Sequence, residues 1–206
     1  FMLVAVSALV FTLGERKVCA WIQVRIGPNR VGPWGLLQST ADMLKLLTKE
    51  DIIPHGVDRW MWVLSPILIF IPAAMVYALY PFDDGVIFAD VNIGLFLLIA
   101  ISSQSVLPFL MGGYASNSKY AMLGGMRTVA QMLSYEVPMV IALMGIVMIT
   151  GSLKMSAIVE AQSNIWFIFL QPIAFLIFMV TCLVESNRPP FNMVEGESEI
   201  IAGPFT

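Results

Sequence analysis

Long uninterrupted blocks of apolar residues are the feature that most constrains the fold of this chain. Four of these blocks are long enough to cross a hydrocarbon core as a helix, which takes about 20 residues: Trp60–Tyr80, Val91–Met111, Val129–Ile149 and Ile165–Val184. A fifth run, Phe1–Leu13, is shorter and is interpreted as the second half of a span. Only 12% of the 206 residues are charged, whereas soluble domains carry about 25%. The sequence therefore predicts an all-α integral membrane protein with about five transmembrane helices, the first of them truncated.

The Lys and Arg residues fall almost entirely on one side of these spans. If the first helix ends on the inner side, the inner segments are 14–59, 112–128 and 185–206, and the outer loops are 81–90 and 150–164. All but one of the 11 basic residues then face inwards, Lys154 being the exception. Because Lys and Arg favour the cytoplasmic side of a membrane, we predict this orientation for a single membrane domain covering residues 1–206.

The first inner segment, 14–59, contains two recognisable features. Apolar residues recur at helical spacing between Leu36 and Leu47, with charged residues interleaved, which predicts a short amphipathic helix at the membrane surface. Before it, the segment 25–33 is so rich in Gly and Pro that it predicts a defined turn. Its two arginines, Arg25 and Arg30, carry guanidinium groups that can donate to a carboxylate or to the carbonyl oxygen of a ligand.

Glu136 is the most unusual residue of the predicted spans. Counting 1.5 Å per residue from Arg127 places it about 13 Å into the membrane, where a carboxylate is costly unless it is protonated, paired or hydrated. Pro138 follows two residues later and is expected to kink the helix and to free the carbonyl of Ser134. Function is favoured for such a residue, as a proton-relay carboxyl, and a structural hydrogen bond to a neighbouring helix is the alternative.

The last inner segment, 185–206, is acidic and follows the fifth span. It carries Glu185, Glu195, Glu197 and Glu199, and the last three are close enough to raise one another's pKa by like-charge repulsion. Such groups suit proton exchange near neutral pH. A solvated acidic loop is the equally weighted alternative. The polar stretch from Ser102 to Ser105 in the third span is explained by helix packing.

Composition excludes several classes of function. The net charge of −3 argues against nucleic-acid binding. The two cysteines are far apart, and a single histidine cannot supply two haem ligands, so no metal site is predicted. No Gly-x-Gly-x-x-Gly motif and no phosphate loop are present. The chain is therefore predicted to carry no redox centre of its own.

Seven motifs in order resemble one known family. They are ERK at 15–17, RIGPNRVGP at 25–33, ADMLKLLTKE at 41–50, GGYASNSKY at 112–120, RTVAQMLSYEVP at 127–138, ESNRPPF at 185–191 and EGESE at 195–199. From about residue 10 onwards the chain resembles the quinone-site membrane subunit of respiratory complex I, called the H subunit in bacteria and NADH dehydrogenase subunit 1 in mitochondria. That family has eight membrane helices, so the resemblance implies an N-terminal fragment that lacks the last three.

The resemblance also implies a function and a set of partners. The family's subunit joins the membrane arm to the peripheral arm of a proton-translocating NADH:quinone oxidoreductase, in the bacterial or the mitochondrial inner membrane. It encloses a quinone chamber with peripheral-arm subunits and has further membrane-arm subunits as neighbours. Quinone is the substrate, and the iron–sulfur clusters and FMN are held by partner subunits.

Residue roles follow from the matched motifs. The resemblance assigns the proton relay to Glu136, Glu185, Glu195, Glu197 and Glu199. It places the quinone site and its subunit contacts at Glu15, Arg16, Arg25, Arg30, Asp42, Arg188 and Phe191. One departure is Asn192, where the family usually has Asp, so the loop carries one carboxylate fewer.

Two other functions are compatible with the residues. Homologous subunits occur in membrane-bound hydrogenases and in the photosynthetic ferredoxin:quinone oxidoreductase. A proton-coupled secondary transporter is a further possibility, because an intramembrane Glu beside a Pro-broken helix is also found in transporters. Transporters usually contain internal repeats, and none is visible in this sequence.

Overall fold

The computed structural model describes residues 2–83, 87–188 and 190–192, in which the regular elements are all helices. The chain divides into two compact units, Phe1–Ile52 and Ile53–Thr206. The first unit contains helix α1 (Met2–Ile22), a 3₁₀ turn (Pro33–Gly35) and helix α2 (Gln38–Thr48). Helix α2 is the short helix predicted from the spacing of its apolar residues.

Helix α1 continues past the predicted end of the first span. The sequence predicts an end at Leu13, but the helix runs through the charged residues that follow and ends at Ile22. The only helix-weakening residue in this stretch is Gly14, which costs about 1 kcal/mol relative to Ala. The helix instead closes where Val24 adopts a positive φ of 53° and the Arg25 amide donates to the Ala20 carbonyl at 2.9 Å.

The Gly/Pro segment after α1 forms a folded turn that depends on a glycine. Gly35 has a φ of 75°, and a Cβ at this position would lie 2.1 Å from the Pro28 carbonyl oxygen. No side chain fits there, so only glycine allows the backbone at position 35 to lie this close to the backbone at Pro28. Lys17 donates from Nζ to the Trp34 carbonyl oxygen at 2.7 Å, which ties the turn to α1.

The second unit is a bundle of apolar helices. Its elements are α3 (Arg59–Leu79), α4 (Gly94–Ser103), α5 (Val106–Ala115), α6 (Lys119–Thr150), α7 (Met155–Glu160), α8 (Phe167–Leu170) and α9 (Pro172–Glu185). Helix α6 packs against α5 and α9, and α3 packs against α4 and α5. In the described residues, three stretches are long and apolar enough to span a membrane, namely α3, α4 with α5, and α6, while α9 is a shorter apolar helix. These helices leave many large apolar side chains exposed, as expected for surfaces that face lipid.

Helices α5 and α6 approach closely because small residues line their contact. A Cβ on Gly113 of α5 would lie 2.8 Å from the backbone carbonyl oxygen of Ala121, and Ala121 itself is completely buried. Small residues at helix interfaces let backbones come together and gain van der Waals contact where lipid gives no hydrophobic driving force. This contact fixes the position of α5 against the long helix α6.

Two of the predicted spans are interrupted. Helices α4 and α5 meet at Gln104 and Ser105, whose amides bond to carbonyls three residues earlier, as in a 3₁₀ turn. Pro108 accounts for this break, since it has no N–H to offer the carbonyl of Gln104. The span predicted over 165–184 is broken at Gln171, which separates α8 from α9 and leaves the helical conformation with a φ of −134° and a ψ of 66°.

Helix α6 is longer than the predicted span Val129–Ile149, and Arg127 lies within it instead of marking its end. Its 32 residues correspond to about 48 Å. Glu136 is near its middle. Pro138 lies inside α6, which stays helical on both sides of it.

Candidate functional site: two carboxylates at a helix break

A small cavity lies where the α4–α5 break faces α6 and α9. Glu136 of α6 and Glu185, the last residue of α9, both line it. Its other walls are mainly hydroxyl groups and apolar side chains, among them Ser103, Met132, Met139 and Thr181. About 20 Å³ is open to water, which is room for about one water molecule. Two carboxylates that the sequence marks separately thus share one site.

Ser103 is the direct hydrogen-bonding partner of Glu136. Its Oγ contacts Glu136 Oε1 and also lies 2.9 Å from the carbonyl oxygen of Ile99, one turn earlier in α4. Both Ser103 and Glu136 are half-buried. Glu136 therefore has a hydrogen-bonding partner on a neighbouring helix, and this partner is a hydroxyl group at a helix break.

Glu185 reaches the same cavity from the end of α9. The preceding residues Thr181 and Val184 are buried, while Glu185 itself keeps part of its surface exposed. Burial, and after it the charge of the nearby Glu136, raises the pKa of Glu185 above its ordinary value of 4.5. This arrangement suits a pair that exchanges protons with a site beyond the cavity.

The loop after α9 is attached to α6 directly beside Glu136. Gln131 donates from Nε2 to the Phe191 carbonyl oxygen at 3.1 Å. The rings of Tyr135 and Phe191 pack edge to face with their centroids 5.8 Å apart. Phe191, predicted at the quinone site, therefore contacts α6 at the residue that immediately precedes Glu136.

Two further residues of this loop stand out in the sequence. Arg188 is exposed, and its backbone carbonyl accepts a hydrogen bond from the Phe191 amide at 2.9 Å, which closes the loop as a turn. Asn192 is half-buried, and its Oδ1 is buried without a hydrogen-bond donor in the described part of the chain.

In the first unit, Arg16 and Asp42 form an ion pair between α1 and α2. The Arg16 guanidinium donates to Asp42 Oδ2, and Gln38 donates to Asp42 Oδ1 at 3.1 Å. The hydrogen bond from Arg16, followed by that from Gln38, holds the pKa of Asp42 below its ordinary value of 3.8. Asp42 is thus a fixed negative charge at neutral pH.

The other three residues predicted in this unit have exposed side chains. Arg25 lies in the turn and donates from Nε to Gln23 Oε1 at 2.7 Å. Arg30 follows in the same turn, and Glu15 lies on α1 before Arg16. The structure therefore keeps the predicted charged residues of this unit at its surface.

The remaining predicted relay residues, Glu195, Glu197 and Glu199, lie outside the described residues. Within the described ranges, no group of three or more His, Cys, Asp or Glu side chains is placed to hold a metal ion.

Sequence reasoning missed the polar residues that organise this site. The sequence prediction explains Ser103 by helix packing alone and does not single out Gln131 or Tyr135. One available signal was the run of four polar residues from Ser102 to Ser105 inside an otherwise apolar span. Pro108 is a second signal, since a proline within a span frees the carbonyl four residues earlier. Together these two features indicate a helix break lined by hydroxyl groups.

Comparison with known proteins identifies relatives over nearly the whole chain. A family model described as NADH dehydrogenase matches residues 1–206. The H subunit of NADH-quinone oxidoreductase from Carboxydothermus hydrogenoformans is 50% identical over 200 residues, which are 97% of this chain and 57% of that protein. The H subunit from Geobacillus sp. strain WCH70 is 51% identical over 205 residues, which are 98% of this chain and 62% of that protein. The H subunit from Geobacillus kaustophilus is 53% identical over 192 residues, covering 93% and 58%.

These matches agree with the resemblance drawn from the motifs. The chain spans about 57% to 62% of the length of these three curated relatives. The relationship is established by sequence identity near one half over more than nine-tenths of this chain and by the match to the family model along its full length. The chain therefore belongs to the NADH dehydrogenase family, together with the H subunits of bacterial NADH-quinone oxidoreductase.

Proposed function

We propose that this chain is part of the membrane subunit of a proton-translocating NADH:quinone oxidoreductase, in which it helps to form the quinone chamber and couples quinone reduction to proton movement. The relatives are named as subunits of NADH-quinone oxidoreductase, which supports this activity for the whole complex. The chain would act only within that complex. Quinone is its substrate, and electrons reach the quinone from FMN and iron–sulfur clusters on partner subunits.

The observation that carries the coupling proposal is the convergence of Glu136 and Glu185 on one cavity. A proton held by one carboxyl lowers the repulsion felt by the other, so the occupancy of the two groups is linked. One water molecule in the cavity can bridge them. A proton entering at the loop end can thus be passed from Glu185 to Glu136, deeper in the bundle. Glu195, Glu197 and Glu199 would extend this relay on the loop side.

The quinone-binding proposal rests on charge and on loop attachment. Arg16, Arg25 and Arg30 supply guanidinium donors suited to a quinone carbonyl or to a carboxylate of a peripheral-arm subunit, with Glu15 and Asp42 as their acidic neighbours. In the second unit, Phe191 offers an apolar ring and Arg188 an exposed cation. Reduction of a quinone near Phe191 and Arg188 takes up protons and changes the charge there. The contact of Phe191 with α6 provides a mechanical route from that event to Glu136.

The alternatives receive less support. The relatives named above are subunits of a quinone oxidoreductase, which favours that complex over a hydrogenase or a ferredoxin-dependent enzyme. They also disfavour a transporter that works as a solitary chain. We propose the bacterial cell inner membrane, or the mitochondrial inner membrane, as the location.

The relay proposal is tested by Glu136→Gln in the intact complex. We expect quinone reduction coupled to proton pumping to be largely lost, because glutamine keeps the shape of the side chain but cannot exchange a proton. Glu160→Gln is the matched control, since it makes the same chemical change at an exposed carboxyl at the end of α7. Normal pumping and reductase rates in Glu136→Gln would reject the proposal.

The quinone proposal is tested by Arg25→Ala. We expect a higher KM for quinone with normal assembly, and partial recovery in Arg25→Lys, which keeps the charge but not the planar fork of donors. Lys49→Ala, another exposed inner cation, serves as the control. Unchanged quinone kinetics in Arg25→Ala would remove this residue from the site.

A further inference from the structure

The hydroxyl group of Ser103 has a single proton and faces two possible acceptors. One acceptor is the Ile99 carbonyl oxygen at 2.9 Å, and the other is Glu136 Oε1. A serine hydroxyl donates one hydrogen bond and can accept two. Two separate hydrogen bonds, rather than one proton shared between both acceptors, require that Glu136 is protonated and donates to Ser103 Oγ.

We propose, building on the relay function assigned above to Glu136, that Ser103 is a positioning residue whose hydrogen bond reverses when Glu136 changes its protonation state. When Glu136 is ionised, Ser103 turns its proton towards the carboxylate and donates to it. When Glu136 is protonated, its O–H donates to Ser103 Oγ, and Ser103 donates to the Ile99 carbonyl. One proton is gained by the carboxyl in this change, and no other covalent bond forms or breaks.

The neighbouring residue Ser102 lowers the free-energy cost of this reversal. Ser102 Oγ also donates to the Ile99 carbonyl oxygen, at 2.9 Å. When Ser103 turns towards Glu136, the Ile99 carbonyl therefore keeps a side-chain donor. The cost of leaving a buried acceptor without a donor, which usually opposes such rearrangements, is avoided.

The position of Ser103 gives the reversal a structural consequence. It is the last residue of α4, and the next two amides make the short i to i−3 bonds of the break. A change in the donor at the Ile99 carbonyl thus occurs in the last turn before the junction with α5. Breaks of this kind absorb small backbone adjustments more readily than continuous helix. A change in the protonation state of Glu136 therefore changes the hydrogen bonding next to the α4–α5 junction.

Other titratable groups face the same cavity and have to be considered. Glu185 approaches from α9, and Tyr135 precedes Glu136 on α6. The cavity-lining residues contributed by α4, the break and α5 are serines and a valine, which do not titrate in the accessible range. A measurement specific to the Glu136 carboxyl is therefore required, because a simple pH profile would combine Glu136 with Glu185.

Infrared difference spectroscopy of the intact complex provides that measurement. The C=O stretch of protonated Glu136 is identified as the band lost in Glu136→Gln when acidified and neutral samples are compared. We expect Ser103→Ala to shift this band to higher wavenumber, because the Glu136 O–H has lost its hydrogen-bond acceptor. Ser103→Thr, which keeps the hydroxyl, should restore the wild-type position. Ser102→Ala is the matched control and should leave the band in place.

A band that stays at its wild-type position in Ser103→Ala would overturn the inference, as would an equal shift in Ser102→Ala. If the alanine variant does not assemble, Ser103→Cys replaces it, since a thiol is a much weaker hydrogen-bonding partner of similar shape. An unshifted band in that variant would also overturn the inference. A wrong relay proposal is detected by a different measurement, because Glu136→Gln would then pump protons normally.

Discussion

The attachment of the loop after α9 to α6 leads to a quantitative prediction. Two contacts hold Phe191, the hydrogen bond from Gln131 Nε2 and the edge-to-face packing against Tyr135. We consider Gln131→Met, which keeps the length of the side chain but removes the donor. A neutral hydrogen bond contributes about 0.5–1.5 kcal/mol net, so the open form of the loop should become roughly two- to tenfold more populated.

Hydrogen exchange measured by mass spectrometry on the purified complex detects this change. The reporter amides are those of Arg188 and Phe191, which bond to the carbonyls of Leu183 and Arg188 in the attached loop. Their exchange should accelerate by the same roughly two- to tenfold factor, provided that opening is a fast pre-equilibrium. Peptides from α3 should exchange as in the wild type.

Two further variants distinguish loop attachment from a general loss of stability. Tyr135→Leu removes a ring pair worth about 0.5–1.5 kcal/mol and should give a similar acceleration. The double variant should fall short of the product of the two effects, because both contacts hold the same residue. Ser134→Ala is the control, since Ser134 is exposed and its Oγ bonds to Ala130 of its own helix. Exchange that is unchanged in Gln131→Met and Tyr135→Leu would refute the reasoning.

Two other predictions concern packing and charge. Gly113→Ala should destabilise the α5–α6 contact by about 1–3 kcal/mol, because its Cβ would meet the Ala121 carbonyl at 2.8 Å. Thermal unfolding of the complex measures this, and Gly14→Ala, with nothing within 4 Å of the added Cβ, should not be destabilised. Because the pKa of Asp42 is lowered by Arg16 and Gln38, its contribution to the α1–α2 contact should persist above pH 3.8 and be lost only as the pH falls through the still lower folded value. Exchange of α2 amides, corrected for intrinsic rates, should show this loss in the wild type and not in Asp42→Asn, whose exchange should already be raised at neutral pH.

Much of the fold could be predicted because membrane spans are encoded locally. A helix in lipid satisfies its own backbone groups, so a long apolar run is sufficient evidence for it. The short helix α2 is predictable for a similar reason, from apolar spacing alone. The predicted end of α1 is wrong because it treats the charges at 15–17 as the end of a helix. Charges mark the membrane boundary, but a helix ends only where its backbone is interrupted, and the first such interruption comes after Ile22.

The arrangement of the site was less predictable because it depends on packing between distant segments. Glu136 and Glu185 are each unusual in the sequence, yet only the packing of α6 against α9 brings them to one cavity. The polar character of Ser103 is visible in the sequence, but its partner lies 33 residues away on another helix. The break that presents Ser103 follows from Pro108, an effect that acts four residues before the proline.

The two best-defined acidic residues, Asp42 and Glu136, have partners of different chemical kinds. Asp42 faces a guanidinium, and that hydrogen bond lowers its pKa, so the carboxylate stays ionised at any physiological pH. Glu136 faces a serine hydroxyl, and the described residues lining its cavity include no Lys or Arg side chain. A hydroxyl group can accept from a carboxyl as readily as it can donate to a carboxylate, whereas a cation favours only the ionised form. The relay proposed for Glu136 requires a partner of the first kind, whereas a structural ion pair such as that of Asp42 requires one of the second kind.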